Sequence, residues 1–405
     1  MKRLIAMLLV LLFALPAMAQ ASADPEQITE VTGRTFEGSG YDTPEDAVLA
    51  YLDGLNQGDV TAMLSTFAYE SYVAHVNPDY YVQRLKAFRI DSIACLPLTD
   101  DFSRSLMLNA RYGEITDQLR YLYVVSATNY DGNITVIRDA EAYRELMSQF
   151  ENSPMSSWIG NVDFVEWLEP AALDELYSNS INIANIGWDA AVCGAEDMAI
   201  LAAHIRLNGE DAIQTMSCVR YDGRWFNLSL SNRLSIVLNM SDYSAGLIYT
   251  AHNGEDGQSD EPDPQSLLAA YDVTSVDSES GALLSSLQNS DLGGTSWQLT
   301  STNEAALTVL DTKEGIRDMS DPAVYGQLHF MSCGAAYLGL RVSQALSGNE
   351  VYDAGFYAMA WSDQNGTPVI NGGYIAEYAQ FTRNGDELVL SSEDGTTMTF
   401  SKVGN

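Results

Sequence analysis

Basic residues are scarce in this chain of 405 residues: Lys and Arg number 20 against 55 Asp and Glu, a formal charge of −35. That balance excludes nucleic acid and anionic membrane surfaces as partners, because both would repel it. It suits a protein that must stay soluble outside the cell. Histidine is scarcer still. His75, His204, His252 and His329 fall in separate segments, so a Ser–His–acid triad has little to draw on, and no G-x-S-x-G is present. Neither H-E-x-x-H nor closely spaced Cys and His occurs, which removes the common zinc sites. The glycine-rich phosphate loops G-x-G-x-x-G and G-x-x-x-x-G-K are missing as well. No cofactor, no metal and no catalytic residue is therefore expected.

Cysteine is sparse and scattered. Cys95, Cys193, Cys218 and Cys333 form no C-x-x-C pair. Four cysteines allow three complete pairings, and spacing does not choose among them. Buried free thiols are an equal expectation.

What is present begins at the N-terminus. Lys2 and Arg3 precede an apolar run over residues 4–15, and Ala17-Met18-Ala19 supplies the small residues of a cleavage site. This reads as a secretory signal peptide over residues 1–19, too short to span a bilayer. A bacterial protein, secreted to the extracellular space or cell envelope, with no stable membrane insertion after cleavage, is the expectation. Residues 20–40 read as a polar leader.

Residues 41–67 carry the clearest local signals. Thr43 is an N-cap, Pro44 fits the first helical position, and Glu45 and Asp46 complement the helix dipole. Ala47, Val48, Tyr51, Leu52 and Leu55 form an apolar stripe. Gly58 stops that helix and Asp59 caps a second, with Val60, Met63, Leu64 and Phe67 as its stripe. Helices are expected again over 79–88, 102–127 and 139–150, with a strand over 90–98. Then the pattern turns strand-like: 161–168, a short helix from Pro170, a hairpin of 198–207 and 212–221 about Asn208-Gly209, and 224–230. On the first hairpin arm Ala199, Leu201, Ala203, Ile205 and Leu207 share one face, and Met198, Ile200, His204 and Arg206 the other. Residues 241–292, centred on NGEDGQSDEPDPQ, read as an acidic linker with a helical turn at 266–271. From 293 to 405 short aromatic-rich strands alternate with Asn-Gly and Asp-Gly turns, the pattern of a closed antiparallel barrel.

TPEDAVLAYLDGLNQGDVTAMLSTF (43–67) and CVRYDGRWFNLSL (218–230) resemble the two ends of a nuclear-transport-factor-2-like domain. The resemblance implies an α+β cone over 41–240, helices on a curved antiparallel sheet, with the surplus length a helical insertion near 102–154. GTSW (294–297) and FTRNGDELVLSSEDGTTMTFSKV (381–403) are similar to lipocalin-like β-barrels, implying an all-β domain over 293–405. Both folds are pocket-capable. Tyr51 on the helix stripe, His204 on the hairpin and Trp297 in the barrel are the candidate cavity-lining residues. The expected role is non-enzymatic: binding a small apolar ligand, a glycan or a cell-envelope protein, with a homodimer through the N-terminal sheet a further expectation. The alternative is an isomerase or hydrolase working in the cone's cavity.

Overall fold

A computed structural model describes residues 36–78, 80, 101–128, 144, 161–173, 177, 180–238, 240, 245–248, 263–274, 290–303, 323–346, 349–373 and 379–403. Residues 37–405 form one compact unit. The signal peptide, Cys95, the strand expected over 90–98, and the helices expected over 79–88 and 139–150 apart from Tyr80 and Arg144 lie outside the described residues.

Helix α1 spans Pro44–Gln57 and α2 Val60–Ser65. The Thr43 hydroxyl accepts the Asp46 amide at 3.1 Å, and the Asp59 carboxylate accepts the Ala62 amide at 3.0 Å. These bonds satisfy amides that the first helical turn leaves without partners. The second stripe differs from expectation. Val60 is exposed, and Phe67 lies beyond α2, bridging to Asn227. A helix not expected from sequence, α3, spans Glu70–His75, and α4 spans Asp101–Thr128.

The cone sheet is antiparallel, in the order β1 (Val162–Leu168), β2 (Asp197–Leu207), β3 (Glu210–Tyr221), β4 (Arg224–Ser229). Tyr41 exchanges two main-chain bonds with Trp225, each 2.9 Å. The Asn227 amide donates to Ala47 O and Thr66 Oγ1, each at 2.9 Å. The opening helices and the last sheet strand are thus fastened together, as their shared resemblance implied.

Each face of this sheet has its own core. Tyr51, Leu55 and Met63, with Ile115 of α4, cover the face that carries Ala203, Ile205 and Met216. The opposite face presents Ile200, Ala202, Ile213 and Val219. It is covered by a helix absent from the sequence reading, α6 (Ser180–Cys193), which follows the short α5 (Pro170–Leu173). Helix α6 also packs on the wall of the barrel. Burial on two sides explains why it was missed: SINIANIGWDAAVC has no polar stripe to betray a helical period. The expected homodimer through the N-terminal sheet meets this geometry, in which both sheet faces are packed by the chain's own elements.

The span read as an acidic linker contributes to the fold at two places. After α7 (Arg233–Val237), β5 (Leu247–Ile248) pairs with β3, and α8 (Pro264–Thr274) packs Leu267, Leu268 and Tyr271 on the α6 side of the sheet. Asp263 caps α8 by accepting the Ser266 amide at 3.2 Å.

The C-terminal sheet is all antiparallel. Its eight strands are β6 (Thr295–Thr302), β7 (Ala323–Phe330), β8 (Ala335–Leu346), β9 (Asn349–Gln364), β10 (Thr367–Gly373), β11 (Ala379–Asn384), β12 (Glu387–Ser392) and β13 (Thr397–Lys402), in the order β10-β9-β8-β7-β6-β13-β12-β11. The two ends approach each other, and Arg383 on β11 donates to Gly366 O at 2.9 Å across the seam. The barrel is nearly closed. Residues 374–378 lie outside the described residues, and β11 begins at Ala379. Pro368 sits in β10, an end strand, where a missing amide is tolerated. Trp297, Phe330, Leu338, Trp361, Leu388 and Phe400 fill the interior.

Candidate functional site

The two-residue turn Asn208-Gly209 has positive φ at both positions, 55° and 86°. That is the type I′ geometry, which makes Leu207 and Glu210 a hydrogen-bonded pair. Hydrogen bonding then alternates along the arm. Odd-numbered residues of β2 bond β3, and even-numbered ones turn toward β1. Strand β1 meets β2 from Val162 opposite Leu207 to Leu168 opposite Ala202, and stops there. Pro170 then leads the chain into α5. Among the described residues, no strand faces the main chain of Met198 and Ile200 on that side.

A cleft of about 620 Å³ opens at this bare edge. Ala199, Ile200 and Leu201 form its floor, and Trp167, Tyr177, Trp225 and Tyr271 its apolar walls. Asp42 and Glu45, at the start of α1, bring carboxylates to it, as does Glu169 after β1. Ser332 and Cys333, from the β7–β8 turn of the barrel, close the remaining side. The described residues lining the cleft include no Lys, Arg or His. Arg224 pairs with Asp42 from outside it, and the Arg220 guanidinium lies 5.7 Å above the Trp225 ring. Burial pushes the Cys333 thiol up to about 12 and the Tyr177 phenol well above its ordinary value. Both stay protonated at neutral pH, so Cys333 is not a thiolate nucleophile here.

A polar latch fixes the barrel side of the cleft. Asp197, 1% exposed, accepts the Ser332 amide at 2.8 Å and the Ser332 hydroxyl at 2.6 Å. Its other bond is to the Met198 amide, at 2.9 Å. Arg220 stands 4.0 Å from the same carboxylate and donates to Gly294 O at 3.1 Å. Gly294 is favoured here by its φ of 68°, and a Cβ would also press on the latch, 2.6 Å from Arg220 Nη2. Burial raises the Asp197 carboxyl, while the Ser332 bonds and Arg220 oppose the rise.

The structure does not bring the three sequence candidates together. Tyr51 is wholly buried under α1, edge-on to Phe67 at 5.9 Å, with its hydroxyl unpartnered. His204 is on the opposite sheet face. It bonds Asp211 at 3.0 Å and stands 3.6 Å from Glu166, while Arg206 reaches the same Asp211 oxygen at 3.4 Å. The His204 bond is the main reason the Asp211 carboxyl lies below its ordinary value. Trp297 is inside the barrel, donating to Thr295 Oγ1 at 2.9 Å. None of the three lines the cleft. His329 on β7 does not line it either. That ring stacks on Tyr337, bonds Ser296 Oγ at 2.8 Å, and burial lowers its pKa to about 4. Cys193, Cys218 and Cys333 are free thiols.

Sequence reasoning missed the cleft because its lining runs from residue 42 to residue 333. The one local signal was Pro170, which ends a strand beside a longer one.

No family model matches this chain, and no curated protein matches it. The crystal structure of a cystatin-like protein from Ruminococcus gnavus is similar at 13% identity, covering 76% of this chain and 87% of that one, with a TM-score of 0.26.

Proposed function

We propose that this chain is an exported, non-enzymatic binding module whose ligand seat is the cleft at the open edge of β2. The observation that carries the reading is the cleft's construction: about 620 Å³, with four aromatic rings and a few carboxylates around a bare sheet edge. Its size is that of ligand sites generally, and apolar walls with few convergent polar groups are their usual lining. The α+β part is read as nuclear-transport-factor-2-like and the barrel as lipocalin-like. The barrel's contribution is to wall the cleft, since aromatic side chains fill its own interior. Export rests on the Lys2-Arg3 head, the apolar run and Ala17-Met18-Ala19.

The test uses protein recovered from the medium of an expressing bacterium. Its intact mass should begin at Gln20, and retention of residues 1–19 would contradict export. That protein is titrated calorimetrically with a neutral oligosaccharide, an aromatic amphiphile and short peptides. At least one class should bind, and Trp167→Ala should weaken it by about tenfold, the loss of one well-packed aromatic contact. Binding indifferent to Trp167→Ala, or no binding by any class at millimolar concentration, overturns the reading.

A further inference from the structure

We infer that residues 37–41 form a strap that holds the α1 wall of the cleft in place, with Glu37 as its anchor. The strap is a property of the fold and does not depend on what the cleft binds. Its residues end the stretch that composition marks as a polar leader, but they are bonded into the fold at both ends. Helix α3 has no capping side chain of its own at its start. Glu37 supplies one from 32 residues upstream of Tyr69. Its half-buried carboxylate accepts the Tyr69 amide, the Ser71 amide at 3.1 Å and the Ser71 hydroxyl. Charge-assisted bonds of this kind are the strong ones, and the helix dipole adds to them. Beside Glu37 the Gly38 amide donates to Ser65 O at 2.9 Å. A Cβ at Gly38 would itself lie 2.9 Å from that oxygen, so the strap lies close against the end of α2.

The other end is fastened to β4, the last strand of the cone sheet. Arg224 donates to Gly40 O at 2.6 Å and pairs with Asp42, while Tyr41 bonds Trp225 in both directions. Gly40 has φ 70°, and a Cβ there would lie 2.6 Å from Phe226 Cζ. The chain then runs directly into Asp42, Thr43, Pro44 and Glu45, which line the cleft. Releasing Glu37 takes the acceptor from the Tyr69 and Ser71 amides and lets the strap peel from its α3 end, which loosens the wall it leads into. Cys218 reports on that wall. It is wholly buried, and its thiol donates to Asn227 Oδ1 at 3.4 Å and to Pro44 O at 3.8 Å. Cys193 on α6, 6% exposed, belongs to the core on the opposite sheet face and is the internal control.

The test treats the full mature chain with N-ethylmaleimide under native conditions and follows each cysteine by peptide mass spectrometry. Local opening sets such labelling rates. Glu37→Ala should label Cys218 about tenfold faster than wild type, the loss of one charge-assisted cap, and leave Cys193 unchanged. Glu37→Gln keeps an acceptor for one of the two amides, so it should speed Cys218 by about threefold. It decides the matter where Glu37→Ala does not fold. Equal acceleration of both thiols in Glu37→Gln is general loosening and overturns the strap. Cys218 labelling unmoved by either variant also overturns it, leaving Glu37 a cap of α3 alone. No ligand enters the measurement, so either failure leaves the reading of the cleft as a ligand seat standing.

Discussion

Replacing Gly187 with valine is expected to cost about 4 kcal/mol of unfolding free energy and to part the barrel from the sheet. A Cβ at Gly187 would lie 2.7 Å from Ala336 O. That oxygen belongs to the main chain of β8, so it cannot swing aside as a side-chain end would. Helix α6 would have to withdraw from β8, opening the packing of Ile186 and Ala190 against Tyr337 and Ala360. Overpacking typically costs 1–3 kcal/mol, and the few tenths that valine gains over glycine in helix propensity offset little of it. Withdrawal of a two-sided helix accounts for the upper end. Gly187→Ala gives the sharper sign test. In an exposed helix that change gains about 1 kcal/mol, whereas here it should lose 1–2 kcal/mol in a guanidinium titration.

The second large effect concerns Asp197. Asp197→Ala strands the Ser332 amide and hydroxyl and removes the charge beside Arg220. Ser332 is exposed, so water can replace the lost acceptor, and the loss of these bonds and of the charge beside Arg220 should cost about 2 kcal/mol at neutral pH. The pH dependence has the opposite sense to that of an ordinary paired carboxylate. Burial holds the folded-state carboxyl above its usual 3.8. Between 3.8 and the raised native value, the native chain therefore keeps a proton that the unfolded chain has released. This group's contribution is fully present below 3.8 and is lost as pH rises through the raised native value. Asp197→Asn keeps an acceptor for the Ser332 amide and cannot ionise. Its stability relative to wild type should increase as pH climbs above 3.8. A difference flat in pH, or falling, would show that the Ser332 bonds and Arg220 outweigh burial.

How much of this was legible in the sequence follows from where each signal resides. The Thr43 and Asp59 caps, the Asn208-Gly209 turn and the Asn365-Gly366 turn are contiguous, so local chemistry revealed them. Alternation assigned Ala203 and His204 to opposite sheet faces correctly. Helix α6 stayed hidden because a helix covered on both sides has no amphipathic period. Strand β10 stayed hidden because Pro368 and Gly372-Gly373 are poor strand formers. Tyr51 and Trp297 were legible as inward-facing residues, but their destinations are packed cores. The cleft needed the α1 start, the end of β1, α8 and the β7–β8 turn to meet, and no stretch of sequence records that meeting.

The cleft has walls from both cone and barrel, so it exists only if the two are held as one body. Differential scanning calorimetry of the mature full chain tests this directly. A single transition is predicted, its calorimetric and van't Hoff enthalpies agreeing, and shifted as a whole to lower temperature by Gly187→Ala. Two separate transitions, with Gly187→Ala leaving the barrel's unmoved, would contradict it.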